Sequence, residues 1–280
     1  MAAAGEVMTN EVLLRTRNAL ADRLRSALGV RPPRWNRPWS MHATISDLFP
    51  WRGGTEWDTK FDVMNLSSVL MPDAPAAEDV NFVLFDDFGH QLREERFSLD
   101  PFSMRELKIS DFTPAAGQGT FACFHALNLQ CTPEFSGGHL TERNYVSYRN
   151  LGSMSLLWSY VHGNTYALSR RDAARMHSIA GRPTSEVIYR PQLRFDDCLR
   201  FELVFSNTTS RELVVRVKAF DDAHKLIKQK VATVPASGMV VIAFDNADGG
   251  IATVENEGRH FMWRPVLFKH YQTGFDVLHS

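Results

Sequence analysis

Arg200-Phe201-Glu202-Leu203-Val204-Phe205 and Leu213-Val214-Val215-Arg216-Val217-Lys218-Ala219-Phe220 are the two runs whose reading decides the fold class. In the first, Phe201, Leu203 and Phe205 point one way while Arg200, Glu202 and Val204 point the other. In the second, Val215, Val217 and Ala219 alternate with Arg216 and Lys218. Successive side chains of a strand lie on opposite faces, so a period of two marks a strand with one buried face. Past a turn at Pro235–Gly238, Val240, Ile242 and Phe244 supply another inward face. Short alternating strands with turns roughly every ten residues predict an antiparallel sandwich or barrel.

The same pieces recur in the first half. Lys60-Phe61-Asp62-Val63 answers Arg200-Phe201-Glu202-Leu203, and Phe85-Asp86-Asp87 answers Phe220-Asp221-Asp222. Pro101-Phe102-Ser103-Met104 answers Pro235-Ala236-Ser237-Gly238-Met239, and each leads to an aspartate, Asp111 and Asp245. Phe61 to Phe201, Phe85 to Phe220 and Asp111 to Asp245 are 140, 135 and 134 residues apart. Solenoid repeats run to about 20–50 residues, so this period predicts tandem domains instead. The expected fold is all-β: two tandem antiparallel β-sandwich domains, jelly-roll or Ig-like, from an internal duplication, with an N-terminal α-helix and a Trp-rich arm. The expected boundaries are 1–54 for helix and arm, 55–168 for the first sandwich, 169–195 for a linker and 196–280 for the second sandwich.

Within the first unit, Phe82–Phe85 reads as a central strand, Met71–Glu78 as a loop insertion and Asp87-Phe88-Gly89-His90 as a hairpin turn. Thr120–Leu129 is expected to match Arg259–Phe268, and Ser155–Leu168 to match Lys269–Ser280. Gln130–Gly152 is then a long loop with almost no equivalent in the second unit. Residues 9–28 predict an amphipathic helix, with Leu13, Leu20, Leu24 and Leu28 on one stripe and Arg15, Arg17, Arg23 and Arg25 on polar positions. Thr9 or Asn10 caps its start and Gly29 its end. From Arg31 to Gly54 a Pro/Trp-rich connector carries Trp35, Trp39 and Trp51 and is expected to wrap over a sandwich. Ser169 is expected to cap a short helix over 170–179.

The formal net charge is −1, with no basic excess to neutralise phosphates, which argues against a nucleic-acid binder. Three cysteines, Cys123, Cys131 and Cys198, form no CxxC pair, and Met1–Val7 carries Glu6 with no apolar run behind it. A cytoplasmic location without a membrane span is therefore expected. The sequons at Asn65-Leu66-Ser67 and Asn207-Thr208-Thr209 read as polar turn chemistry, and Asp86-Asp87 and Asp221-Asp222 as turn caps.

The second half, Phe201–Ser280, resembles the small β-sandwich of the sensory-rhodopsin-transducer family. The likeness lies in Phe205-Ser206-Asn207-Thr208, the strand Val215–Asp222, the Val234-Pro235-Ala236 turn, the strand into Phe244-Asp245 and a last strand ending near His279. The resemblance implies an oligomer-forming, non-enzymatic binding domain.

No phosphate loop, dinucleotide, zincin or serine-hydrolase motif occurs, and none of the ten histidines stands two residues from another as a cupin metal site requires. The densest polar-aromatic cluster is Glu142–Asn150 followed by Trp158–Asn164. Arg143, Tyr145, Ser147 and Arg149 share one strand face, and Trp158, Tyr160 and His162 share another. Flat rings beside guanidinium and amide donors suit a sugar or a small anion. The candidate ligand-binding residues are Arg143, Tyr145, Tyr148, Arg149, Trp158, Tyr160, His162 and Asn164. His125, His139, His162 and His177 match no metal-ligand spacing, so neither metal nor cofactor is expected. The expected function is non-catalytic binding or assembly, recognising a carbohydrate or glycan-like ligand. One alternative is a metal-assisted hydrolase or lyase using His162 with Arg143 or Arg149. Another is a structural homo-oligomer, or a complex with a partner joined through the N-terminal helix.

Overall fold

The computed structural model describes residues 43–70, 72–73, 75–113, 116–127, 144–152, 157–162, 165–169, 187–207, 212–258 and 265–279. The helix expected over 9–28, Trp35, Trp39, Cys131 and the helix expected over 170–179 lie outside them. The described chain is nearly all β. Its first part runs β1 (Ala43–Gly53), β2 (Trp57–Met64), a single helical turn α1 (Leu66–Leu70), β3 (Glu78–Asp86), β4 (Gln91–Leu99) and β5 (Met104–Lys108). After a 3₁₀ turn at Ile109–Asp111 come β6 (Gly117–Leu127), β7 (Tyr145–Asn150), β8 (Ser159–His162) and β9 (Thr165–Ser169). The second part runs β10 (Val187–Tyr189), β11 (Arg200–Ser206), β12 (Leu213–Phe220), β13 (Leu226–Val234), β14 (Met239–Asp245), β15 (Thr253–Gly258), β16 (Val266–His270) and β17 (Phe275–His279).

Four antiparallel sheets result. Sheet A has the order β4-β3-β6-β1-β9 and sheet B the order β5-β2-β7-β8. Sheet C has the order β10-β15-β12-β13 and sheet D the order β14-β11-β16-β17. The alternation read from the sequence is what pairs them. Phe61, Val63, Leu107 and Val146 of sheet B meet Phe49, Phe82, Phe121 and Cys123 of sheet A. Phe201, Leu203, Phe205 and Leu267 of sheet D meet Val215, Val217, Ala219 and Val254 of sheet C. Each pair of sheets therefore encloses a core.

The strand order of the second pair repeats that of the first. β11 lies between β14 and β16 as β2 lies between β5 and β7, and β12 lies between β13 and β15 as β3 lies between β4 and β6. The likeness extends to single bonds. A register shift falls at Leu84/Phe85 and again at Ala219/Phe220. Asp86 Oδ1 accepts the His90 N–H and Asp221 Oδ1 the Lys225 N–H, each at 2.8 Å, so these aspartates do cap hairpin turns. Asn65 donates to Leu99 O and Asp100 O, and Asn207 to Val234 O and Pro235 O. Both sequon asparagines are thus buried turn anchors. Phe102 and Ser237 carry the same positive φ, 58°, at the turns that these asparagines hold.

Three expectations need correction. Residues 43–53, assigned to the arm, form β1, with Trp51 in the core and its Nε1 donating to Phe85 O at 2.8 Å. Pro50 is tolerated because it lies past the end of β9, where β1 is an edge strand among the described residues. Val187–Tyr189 and Phe195, assigned to the linker, belong to the second sandwich as β10 and a core residue. The expected alignment of the later strands also shifts. By strand order β6 answers β15, not Arg259–Phe268, and β7 answers β16. Residues 145–150 are therefore a central strand with a counterpart, not part of an insertion.

The two sandwiches pack on one another. The first core continues into Val204, Met239, Val266, Phe268 and Val277, which lie on the outer face of sheet D. Trp57 meets Phe268 and Phe275 edge-on at 5.2 and 5.1 Å, and Tyr148 meets Phe268 at 5.0 Å. Arg52 lies 4.2 Å over the Phe268 ring and pairs with Glu202, both side chains being only 7% exposed. Turns also meet: Met239 N–H donates to Asp87 O at 3.0 Å and Thr120 Oγ1 to Ser237 O at 2.6 Å. A Cβ on Gly89 would lie 1.9 Å from Ala236 O, so only glycine allows that approach.

Breaking a buried ion pair by removing one partner costs about 3–5 kcal/mol, whereas replacing both by apolar groups costs much less. Glu202→Leu is expected to lower urea stability by about that much, and Arg52→Met by less, because Arg200 still pairs with Glu202 at 2.7 Å. The double variant is expected to lose far less than their sum, and simple additivity would show that the pair is not coupled.

His270, at the same interface, gives a pH signature. Burial lowers its pKa, Glu202 pulls it up, and Arg200 and Arg52 push it down again, leaving it below the ordinary value. Below a pH of about 6.5 the unfolded chain therefore takes up a proton that the folded chain resists. Stability should be flat above that pH and fall below it, by at most about 1.4 kcal/mol per unit from this residue. Urea midpoints of His270→Gln between pH 7.5 and 5 should lack that part of the slope.

Candidate functional site

The pleat of sheet B determines which candidate residues meet. On β7, Val146 and Tyr148 point into the core while Tyr145, Ser147 and Arg149 point outward. β2 lies beside it with Asp58 opposite Arg149, Lys60 opposite Ser147 and Asp62 opposite Tyr145. On the other side β8 sets Tyr160 opposite Ser147 and His162 opposite Tyr145. β5 adds Glu106 opposite Asp62.

Two aromatic rings rest on cations over this face. Arg149 lies 4.7 Å from the centre of the Trp158 ring, and Lys60 lies 5.4 Å from Trp158 and 5.3 Å from Tyr160. Both cations are also paired with carboxylates, Arg149 with Asp58 at 2.9 Å and Lys60 with Glu106 at 2.7 Å. Burial opposes the Lys60 charge, but hydrogen bonds with Glu106 and Tyr160 and the Asp62 charge outweigh it and hold the ammonium above its ordinary pKa. Burial raises the Asp62 pKa against the pull of Lys60, with Glu106 adding to the rise. Lys60 in turn lowers that of Glu106. Ser147 Oγ and Arg149 Nε, buried beneath, have no hydrogen-bond partner among the described residues. Tyr160 stays 50% exposed, so this face presents an aromatic surface to solvent.

The structure thus brings together Tyr145, Arg149, Trp158 and Tyr160. It does not bring Tyr148 to them: that ring is wholly buried and its hydroxyl donates to Pro50 O at 2.7 Å. Its even position on β7 turns it inward, which corrects its place among the candidates. His162 is described only as a backbone position on β8, and Arg143 and Asn164 lie outside the described residues. Sequence reasoning missed Asp58, Lys60, Asp62 and Glu106. The signal was the Lys60-Phe61-Asp62-Val63 repeat, whose alternate residues face outward beside β7.

A second polar constellation is sealed inside the first sandwich. Glu78, Cys123, His125 and Asn144 are all at most 2% exposed. His125 Nδ1 bonds Glu78 Oε1, Ser67 N–H donates to Glu78 Oε2, and Cys123 Sγ lies 3.5 Å from His125 Nε2. Burial disfavours a charged ring, while Cys123 and Glu78 favour one. The asparagine settles the proton count. Met64 N–H donates to Asn144 Oδ1 at 3.0 Å, which turns the amide NH₂ toward His125 Nε2 at 2.8 Å. That nitrogen must accept, so the ring is neutral with its proton on Nδ1. A thiol, imidazole and carboxylate this close could serve catalysis if open, but here they pin β3, β6 and the start of β7 together. No group of three or more His, Cys, Asp or Glu among the described residues is placed to hold a metal ion. Nor is any helix among them long and apolar enough to cross a membrane.

No protein-family model matches the chain, and no curated protein does. Among solved structures, a glycosyl hydrolase family 2 member from Bacteroides cellulosilyticus is 9% identical with a TM-score of 0.22 over 90% of this chain. The Bacteroides uniformis beta-glucuronidase 2 is 10% identical with a TM-score of 0.21 over 85% of it. The M60 catalytic domain with CBM51 domains from a Clostridium perfringens protein is 10% identical with a TM-score of 0.18 over 85%. The chain spans 30%, 26% and 34% of those three chains.

The buried constellation makes a spectroscopic prediction. Nitrogen-15 NMR at pH 7 should find His125 protonated at Nδ1 alone, and the Cys123 thiol should resist alkylation in the folded protein. A doubly protonated ring would mean that the Asn144 amide is turned the other way.

Proposed function

We propose that this chain is a non-catalytic binding protein that takes a neutral carbohydrate on the outer face of sheet B. One comparison carries the reading. The matching face of sheet D is apolar and buried against the first sandwich: where sheet D places Phe268 opposite Glu202 and Val277 opposite Phe268, sheet B places Tyr145 opposite Asp62 and His162 opposite Tyr145. On sheet B the same strand positions carry Tyr145, Ser147 and Tyr160 with Trp158 beside them, and Tyr160 is half exposed. Sugar rings present apolar C–H faces that stack on aromatic rings, with hydroxyls for flanking carboxylates and cations. Lys60, Arg149 and Lys108 stand against Asp58, Asp62 and Glu106 on this face, so its described charges balance and leave no net positive charge for an anion. A neutral glycan fits that balance better than a uronate.

The scaffold we propose is a duplicated sandwich spanning 43–169 and 187–279, an assignment that the recurring turn bonds support. A non-enzymatic binding domain also agrees with what the resemblance to the sensory-rhodopsin-transducer family implies. Self-assembly through the sheet B face is the second reading, favoured by the burial of its counterpart in sheet D. The enzyme reading has less support, because Arg149 is bound to Asp58.

A glycan array separates these. Binding to neutral glycans should fall about tenfold or more in Trp158→Ala and in Tyr160→Ala, the scale of one lost stacking contact. Ile188→Ala, exposed on sheet C, should leave it unchanged. Absence of glycan binding, with a multimer in light scattering that Tyr160→Ala dissociates, would establish the assembly reading instead.

A further inference from the structure

The outer face of sheet A carries a small apolar cluster of Leu48, Val83, Ala122 and Phe124, each at most 2% exposed. Among the described residues only the half-buried Phe85 packs against it. The second sandwich shows what the same strand positions look like when they face water. With the shared register shift as the anchor, Val83 corresponds to Lys218, Ala122 to Glu255 and Phe124 to Glu257. There they form a charge ladder whose cations reach solvent: Arg216 and Lys218 pair with Glu257 at 2.9 and 2.8 Å, and Arg190 with Glu255 at 2.5 Å. An antiparallel sheet can leave one face wet only if that face is polar. Sheet C meets that condition and sheet A does not, so sheet A is built to be covered.

We infer that residues 9–28 of this chain dock as a helix on the outer face of sheet A. Leu13, Leu20, Leu24 and Leu28 form the one long apolar stripe at helical spacing in the sequence. A helix of that length is about 30 Å long, and a five-stranded sheet is about 19 Å across, so one such helix spans it. The segment reaches the sheet directly, because residues 29–42 lead into β1, itself a strand of sheet A beside β6. Fourteen residues extend to about 46 Å, ample for the return.

Hydrogen–deuterium exchange of the full chain tests this. Amides of 9–28 should exchange at least about 100-fold more slowly than in an unstructured peptide, and equally so at low and high protein concentration. Leu20→Lys with Leu24→Lys should abolish that protection while strands β2, β3 and β6 keep theirs. Val83→Lys with Phe124→Glu, which copies the second sandwich, should do the same from the other side. Should that variant fail to fold, the leucine pair still decides. Unprotected 9–28 amides in the native chain would overturn the inference, and so would protection that persists in the leucine variant. Protection that fades on dilution would overturn it too, since the occupant would then belong to a second copy.

Discussion

The outer face of sheet D carries Val204, Val266, Phe268 and Val277, and burying that face is the constraint from which the remaining architecture follows. A sheet that is apolar on both sides cannot border water. Sheet C covers the inner side, so the first sandwich must cover the outer one. That fixes where Trp57 and Tyr148 lie, since both rings meet Phe268. It also explains Arg52, because Glu202 enters the same buried face and Arg200 meets only its Oε1, leaving Oε2 to Arg52. The Arg52 guanidinium serves twice, pairing with the carboxylate and lying over the Phe268 ring.

One strand order thus supports four different outer faces. Sheet D is apolar and docked, sheet C is a charge ladder, sheet A is apolar and covered, and sheet B is polar and aromatic with a half-exposed tyrosine. The inner faces hardly differ, because Phe61 and Phe201 or Val63 and Leu203 do the same packing in each core. Inner positions answer to packing density, which leaves little freedom. Outer positions answer to whatever lies beyond the sheet. Differences between the halves are therefore informative only on the outward side of each pleat.

Much of the scaffold was legible because period-two alternation and turn chemistry are local. Phe201-Glu202-Leu203 and Val215-Arg216-Val217 read correctly from the sequence, and so did the aspartate turns. β1 was not legible, since Pro50 and nearby tryptophans resemble a connector, and the proline is acceptable because the described β9 pairing ends at Leu48. β7 was misplaced because the long stretch before it suggested one continuous insertion. Its partnership with β2 depends on contacts some 85 residues apart, which no local pattern records. In the sequence His125 is one of several scattered histidines. Its role needs Glu78 and Asn144, supplied by the start of β3 and the start of β7.

The site was legible in part, and the reason is parity. Tyr145, Ser147 and Arg149 share a face in any strand, so their grouping survived although the segment had been assigned to a loop. Tyr148 shares the other parity and went to the core. What sets this face apart is therefore not an extra segment in the first half, because β7 has its counterpart in β16. It is the choice of outward residues on a shared strand. Where β16 shows Phe268 and His270 to a protein surface, β7 shows Tyr145 and Ser147, and β8 adds Tyr160 where β17 has Phe275. Exchanging apolar side chains for hydroxyl-bearing ones forfeits docking energy and leaves ring surface with polar edges. Under the proposed reading that exchange suits a sugar, whose C–H faces stack on rings and whose hydroxyls meet polar edges.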